Sequence, residues 1–132
     1  MNKREKEEAK VRAEKKQNFI KRYNEAFGMT NWWTFILFDD CNENKSTINM
    51  RVMVVEYLLK NTCTKIKMQD ILFQLGQTFR YYLPRMIDGR SPLSPIGAGI
   101  IKNKPGYGYF VTNQEKAVLW LKFMEELKKR DW

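Results

Sequence analysis

Histidine is absent from the 132 residues of this chain, and cysteine occurs only twice. Without imidazole, the chain lacks the side chain that most often acts as a general base near neutral pH, activates a nucleophile or binds zinc. Cys41 and Cys63 cannot complete a four-cysteine zinc site, and both are expected to be ordinary buried or half-buried thiols. Neither a glycine-rich phosphate loop nor paired carboxylates in a cleft-like context are recognisable. We therefore expect a protein that is not an enzyme and uses no metal or cofactor.

Long hydrophobic runs are missing as well. No stretch approaches the roughly 18 apolar residues that cross a bilayer, and the N-terminus begins with charged residues instead of a signal-like apolar segment. Hydrophobic residues nevertheless make up 43% of the chain, which is enough for one core. These features predict an intracellular protein that makes no membrane contact.

Charge is distributed unevenly around a net value of +9. Residues 45–132 contain fifteen basic and seven acidic side chains, whereas residues 19–44 contain two basic and four acidic ones. A basic excess of this kind suits a polyanionic partner, because neutralising phosphates supplies most of the nonspecific affinity for nucleic acid. A basic surface that merely keeps the protein soluble explains the charge equally well.

The first predicted element is a helix over residues 3–27, which contain no glycine or proline before Gly28, a natural C-cap. Residues 3–16 are almost entirely polar and should project into solvent. The end of the helix should dock on the core, because its apolar residues recur at helical spacing: Phe19, Ile20, Tyr23 and Phe27.

Three further helices are predicted before a loop rich in proline and serine at residues 90–97. The first begins with Thr47 as its cap and runs to about Lys60, with one apolar face formed by Ile48, Val52, Val55 and Leu59. The second covers residues 68–75 and ends at Gly76. The third covers residues 77–87.

A hairpin and a final helix complete the prediction. Residues 99–111 should form the hairpin, with its turn at Lys102-Asn103-Lys104-Pro105-Gly106. Thr112 and Glu115 form a capping box for the last helix, which presents apolar residues at helical spacing: Ala117, Trp120, Leu121, Met124 and Leu127. The fold class predicted from these patterns is mainly α with a small β-hairpin.

The middle of the chain resembles winged helix-turn-helix proteins. The resemblance lies in the pattern Ile66-x-x-x-x-Ile71-x-x-x-Leu75-Gly76-Gln77-Thr78-Phe79-Arg80-x-x-Leu83-x-Arg85-Met86, in which Gly76 permits a left-handed backbone at the turn. Residues 89–94, 106–110 and 113–130 are also loosely similar to small winged-helix proteins of phages and mobile elements. The resemblance implies a winged helix-turn-helix core flanked by terminal helices, with residues 47–132 as the domain and residues 1–46 as a helical arm and aromatic segment.

The function implied by this resemblance is double-stranded DNA binding by a transcription or replication regulator. The protein would be cytoplasmic, associated with the nucleoid if bacterial, or in the host cytoplasm if phage-encoded. Helix 77–87 would enter the major groove, and the wing at residues 99–111 would contact the backbone. The candidate DNA-binding residues are Gln77, Thr78, Arg80, Tyr81, Arg85, Arg90, Lys102, Asn103 and Lys104.

Individual roles follow from side-chain chemistry. Arg80 is the candidate for a base contact, because a guanidinium can bind guanine O6 and N7 together. Lys102, Asn103 and Lys104 suit phosphate contacts, which position the protein without reading sequence. Arg80 and Arg85 could instead belong to a solvated helix face. Pro84 departs from the pattern, because it must either kink the helix or begin a new one.

Residues 32–38 form the most hydrophobic stretch of the chain. They predict either a short buried strand or helical turn, or a surface for self-association or a protein partner that includes Trp32, Trp33 and Phe35. In the second case the protein is a winged-helix interaction module or an inhibitor of a host protein. A homodimer or a partner could bind through this stretch and the N-terminal arm.

Overall fold

The computed structural model describes residues 2–28, 35–61, 68–76, 91–130 and Trp132. These residues contain helices α1 (Lys3–Phe27), α2 (Lys45–Lys60), α3 (Met68–Leu75) and α4 (Gln114–Lys128), a 3-10 helix (Phe38–Asn42), and strands β1 (Ile101–Lys104) and β2 (Gly108–Val111). The predicted class, mainly α with a small β-hairpin, is confirmed. None of the helices in these ranges is both long and apolar enough to cross a membrane.

Helix α1 has the predicted bounds. The Asn2 side chain accepts a hydrogen bond from the Glu5 N–H at its start, and the Gly28 N–H donates to the Asn24 carbonyl at its end. Side chains from residue 3 to residue 15 are exposed apart from half-buried Ala9, as expected for a projecting arm. Lys16 differs from the prediction, since it is buried and its Nζ lies 3.4 Å from Asn42 Oδ1.

Asparagine caps helices α2 and α4, whereas threonine was predicted to cap both. Helix α2 begins at Lys45, and Asn44 Oδ1 accepts from the Ser46 N–H, so Thr47 already lies inside the helix. Asn113 Oδ1 likewise accepts from the Lys116 N–H at the start of α4. The Thr112 hydroxyl instead donates to the Gly99 carbonyl. Both predicted caps are wrong because each threonine has an asparagine nearby, and asparagine is the better capping residue.

The buried face of α2 is rotated slightly from the predicted one. Ile48 and Val55 are buried as expected, but Val52 and Leu59 are only partly buried. The other buried residues of this helix are Arg51, Val54 and Leu58. Burial lowers the pKa of Arg51, and the Glu43 carboxylate, whose Oε1 lies 3.0 Å from Nη1, opposes that shift. An arginine thus occupies part of the core-facing stripe because a carboxylate compensates its charge.

Helices α1 and α4 pack against each other through aromatic side chains. The ring of Phe123 contacts three rings of α1, those of Phe19, Tyr23 and Phe27, at centroid distances of 5.4–5.7 Å. Toward the other end of α4, the Lys116 ammonium donates to the Ala26 carbonyl. The docking predicted for the second half of α1 is therefore confirmed, and the polar arm extends away from this contact.

Residues 91–99, here called the anchor loop, form a largely buried segment that precedes the hairpin. Ser94 is fully buried, and its hydroxyl donates to the Ser91 carbonyl while accepting from the Gly97 N–H. Two core side chains bind the loop backbone: Tyr23 Oη donates to the Pro92 carbonyl at 2.6 Å, and Trp120 Nε1 donates to the Leu93 carbonyl at 3.2 Å. Helices α1 and α4 consequently fix the segment from which β1 begins.

Candidate nucleic-acid interface

The predicted hairpin is present as two antiparallel strands. Ile101 pairs with Val111, and Lys104 pairs with Gly108. A turn joins them, closed by a hydrogen bond from the Tyr107 N–H to the Lys104 carbonyl. Gly106, at φ 80°, and Gly108, at φ 115°, adopt backbone conformations that disfavour other residues. The turn is shorter than predicted, because residues 102–104 belong to β1.

Alternation along the strands separates the hairpin into two faces. Ile101 is fully buried, and its partner Val111 packs partly against the core. Lys102 therefore lies on the opposite face, where it pairs with Phe110. We call this side the outer face of the hairpin, formed by Lys102, Lys104, Tyr107 and Phe110. Asn103 pairs with Tyr109 on the inner side.

Positive charge is unopposed along the hairpin. Lys102 and Lys104 are exposed, and the sequence contains no aspartate or glutamate between residues 91 and 114. Neither ammonium group forms a salt bridge within the part of the chain that the structure describes. Among the described residues, no ion pair has to be broken before the outer face attracts an anion.

The hairpin is rigidly connected to the core. The N–H groups of Ile100 and Ile101 both donate to the Pro95 carbonyl, and the Thr112 N–H donates to the Ile100 carbonyl. Strand β2 packs against α2. Because the base of the hairpin is hydrogen-bonded and apolar, its lysines project from a defined backbone position.

Two features of the helix-turn-helix prediction lie within the described residues. Helix α3 has the predicted bounds and packs against α2. Gly76 follows it with φ 102°, which confirms the left-handed backbone expected at the turn. The predicted third helix lies outside the described residues, as do six candidate DNA-binding residues: Gln77, Thr78, Arg80, Tyr81, Arg85 and Arg90. The structure therefore brings together only the three candidates of the hairpin, Lys102, Asn103 and Lys104.

The aromatic stretch before α2 has exposed side chains. Trp32 and Trp33 lie outside the described residues, whereas Phe35 is 47% exposed and Leu37 is 69% exposed. Between them, Ile36 is buried and its backbone forms two hydrogen bonds with the Asn24 side-chain amide, at 2.7 and 3.1 Å. Of the three side chains of this stretch whose burial the structure describes, Ile36 is buried and its neighbours present apolar area to solvent.

The outer face contains an aromatic pair that the sequence reasoning did not assign to the site. The rings of Tyr107 and Phe110 meet edge to face, with centroids 6.0 Å apart and planes at 84°. The signal for Phe110 was the strand alternation, since counting back from core-facing Val111 places it on the same side as the lysines. Tyr107 lies in the turn, outside this alternation, and its ring contact with Phe110 assigns it to the outer face. Tyr109 faces the other way, and burial raises the pKa of its phenol.

The described residues also include groups that catalytic sites commonly use. Among the described residues, no cluster of three or more histidine, cysteine, aspartate or glutamate side chains could hold a metal ion. Cys41 is buried, and burial raises the pKa of its thiol to about 11. Its thiol therefore stays protonated at neutral pH, and the reactive thiolate is scarce.

No protein-family model matches this sequence, and neither a curated protein nor a solved structure is significantly similar to the chain. The function of this chain is therefore inferred from its own residues and from the geometry of the hairpin.

Proposed function

We propose that this protein is a non-enzymatic double-stranded DNA-binding protein, a transcription or replication regulator, whose hairpin serves as a wing on the sugar-phosphate backbone. The observation that carries the proposal is the outer face of the hairpin, with two exposed lysines and no acidic residue from position 91 to position 114. Phosphate contacts by lysine supply sequence-independent affinity and fix the register of a protein on the duplex.

The spacing of the two lysines suits an extended anion. Lys102 and Lys104 are two residues apart on one face of β1, so their backbone positions are separated by about 6.6 Å along the strand. Phosphates recur every 3.4 Å of axial rise along one DNA strand, so the two ammonium groups can reach different phosphates. Asn103, between them, points to the inner side and is a less suitable backbone contact.

The element order supports a winged helix-turn-helix arrangement. Helices α2 and α3 pack together, Gly76 has a left-handed backbone directly after α3, and the hairpin follows later in the chain. The helix predicted over residues 77–87 would enter the major groove, with Arg80 near its N-terminal end as the base contact. The remaining candidates, Gln77, Thr78, Tyr81, Arg85 and Arg90, would contact bases or phosphates from the same region.

The first test removes the two hairpin lysines together. We expect Lys102→Ala with Lys104→Ala to weaken binding to all duplex sequences alike, because phosphate contacts carry no sequence information. The slope of log affinity against log salt concentration should become shallower by roughly one to two units, because a protein that makes fewer phosphate contacts releases fewer counterions when it binds. Fluorescence anisotropy with labelled random duplex, titrated from 50 to 200 mM salt, measures both quantities.

Lys6→Ala with Lys10→Ala is the matched control, since both lysines are exposed on the polar arm of α1 and the net charge falls equally. This control should retain the salt slope of the unmodified protein. An equal loss in both double variants would mean that net charge, and not the hairpin, attracts DNA. A loss restricted to one preferred sequence with an unchanged salt slope would mean that the wing reads bases.

Exposed Phe35 and Leu37 favour a second candidate function, a protein-interaction module that self-associates through residues 32–38. Under the DNA-binding proposal, we expect Phe35→Ser with Leu37→Ser to leave affinity for random duplex unchanged, because neither residue belongs to the hairpin. Analytical ultracentrifugation over a concentration series gives the oligomeric state of the same samples. A protein that binds no DNA but changes from dimer to monomer on this double substitution would establish the second candidate instead.

A further inference from the structure

The outer face of the hairpin combines cations with exposed aromatic rings. Tyr107 at the turn is 37% exposed, and its ring meets the ring of half-buried Phe110 edge to face. Phe110 is directly opposite Lys102 in the strand register. Aromatic area beside two exposed lysines goes beyond what phosphate contacts require. A tyrosine hydroxyl can donate a hydrogen bond to a phosphate, but the face of an aromatic ring does not attract an anion.

The tip of the hairpin is also open to a ligand. A Cβ atom built on Gly106 would meet no heavy atom within 4 Å, so no other described part of the chain covers this side of the turn. The edge-to-face arrangement with Phe110 supports the Tyr107 ring from one side. A supported ring at an uncovered tip loses little conformational freedom when a flat ligand stacks on it.

We propose that the outer face of the hairpin binds unpaired DNA bases, with Tyr107 stacking on a base while Lys102 and Lys104 hold the phosphates of the same strand. This inference rests on the proposed DNA-binding function and names its preferred substrate, a duplex that contains an opened or unpaired segment. In a closed duplex, base faces are covered by neighbouring bases. In an opened segment they are free, and stacking on a protein aromatic ring is independent of sequence.

The experiment compares two DNAs of equal length and charge: a fully paired duplex and the same duplex with a short central mismatched bubble. The full-length protein should bind the bubble roughly 5- to 150-fold more tightly, the range that stacking of one base supports. A second readout uses 2-aminopurine at an unpaired position of the bubble. Stacking on Tyr107 should lower its fluorescence when protein is added.

Three variants connect the preference to the outer face. Tyr107→Ala should abolish both the preference for the bubble and the 2-aminopurine change, so that this variant binds the two DNAs with equal affinity. Tyr107→Phe should retain both, because it keeps the ring and loses only the hydroxyl. Lys102→Ala with Lys104→Ala should weaken binding to both DNAs alike. Circular dichroism and urea unfolding of each variant establish that the fold is intact.

The outcomes separate the two proposals. Equal affinity for both DNAs, or a bubble preference that survives in Tyr107→Ala, overturns the stacking role while leaving the hairpin as a duplex-binding wing. Loss of the preference in Tyr107→Phe as well as in Tyr107→Ala also overturns it, because a hydroxyl contact would then be responsible. Absence of binding to either DNA overturns the proposed function and this inference together.

Discussion

Replacing Trp120 with alanine is expected to lower the free energy of unfolding by about 3–5 kcal/mol. The side chain is fully buried, so truncation leaves a cavity bordered by α1 and the anchor loop. Its Nε1 also donates to the Leu93 carbonyl, and without that donor a buried acceptor is left unsatisfied. The loss is a large fraction of the roughly 5–15 kcal/mol by which domains of this size are stable.

Urea unfolding followed by far-ultraviolet circular dichroism measures this loss. Two further variants show how much of it comes from the indole N–H and how much any alanine in this part of α4 would cost. Trp120→Phe keeps an aromatic ring but removes the N–H, so it should cost about 1–3 kcal/mol. Leu119→Ala changes the neighbouring residue, which is 39% exposed, and should change stability by less than about 0.5 kcal/mol. If Trp120→Ala were no more destabilising than Leu119→Ala, the result would contradict the packing of α4 on the anchor loop described above.

Gly97→Ala is expected to lower the free energy of unfolding by about 3 kcal/mol, the upper end of the usual cost of overpacking. A Cβ at this position would overlap with the Ser91 carbonyl oxygen and lie 3.0 Å from Ser94 Oγ. The closer atom belongs to the backbone of the same buried loop, so it cannot move aside as a flexible side chain would. Relief requires the anchor loop to open, which breaks the hydrogen bonds of Ser94.

Gly97→Ala should also affect DNA binding by the hairpin. Because Pro95 accepts hydrogen bonds from the start of β1, opening the loop should weaken binding to DNA as well as stability. Thermal unfolding and anisotropy titration measure the two effects. Gly106→Ala is the matched control, since its Cβ meets no neighbour and only its positive φ is strained, at a cost of about 1 kcal/mol. A greater loss in Gly106→Ala than in Gly97→Ala would contradict the tight loop.

The helices could be predicted well wherever local signals agree. Glycine ends α1 and α3 at the predicted residues, and the apolar spacing of α1 identified the face that docks. The predicted face of α4 missed Phe123, which contacts three rings of α1. The starts of α2 and α4 were misplaced because two capping residues compete within a few positions, and only the backbone path decides between them. The burial of Arg51 could not be predicted, since it depends on Glu43 lying opposite in the folded chain.

The candidate site was predicted in part. The hairpin and its lysines follow from the Pro105-Gly106 turn and the flanking apolar residues. The burial of the anchor loop was not foreseeable, because segments rich in proline and serine usually run over the surface. Its burial depends on Tyr23 and Trp120, which are distant in sequence and satisfy its carbonyl groups. The prediction for residues 77–87, where Pro84 interrupts a helical pattern, stays a prediction.

The hydrogen bond from Tyr23 to the Pro92 carbonyl joins residues 69 positions apart, and this separation has a consequence for folding kinetics. An isolated hairpin closes within about 1–10 microseconds, because its contacts are local. The anchor loop, in contrast, acquires this donor only after a much larger loop closes, which carries a greater entropic barrier. The strand pairing of the wing can therefore form early, whereas its orientation relative to the core is fixed only when α1 docks.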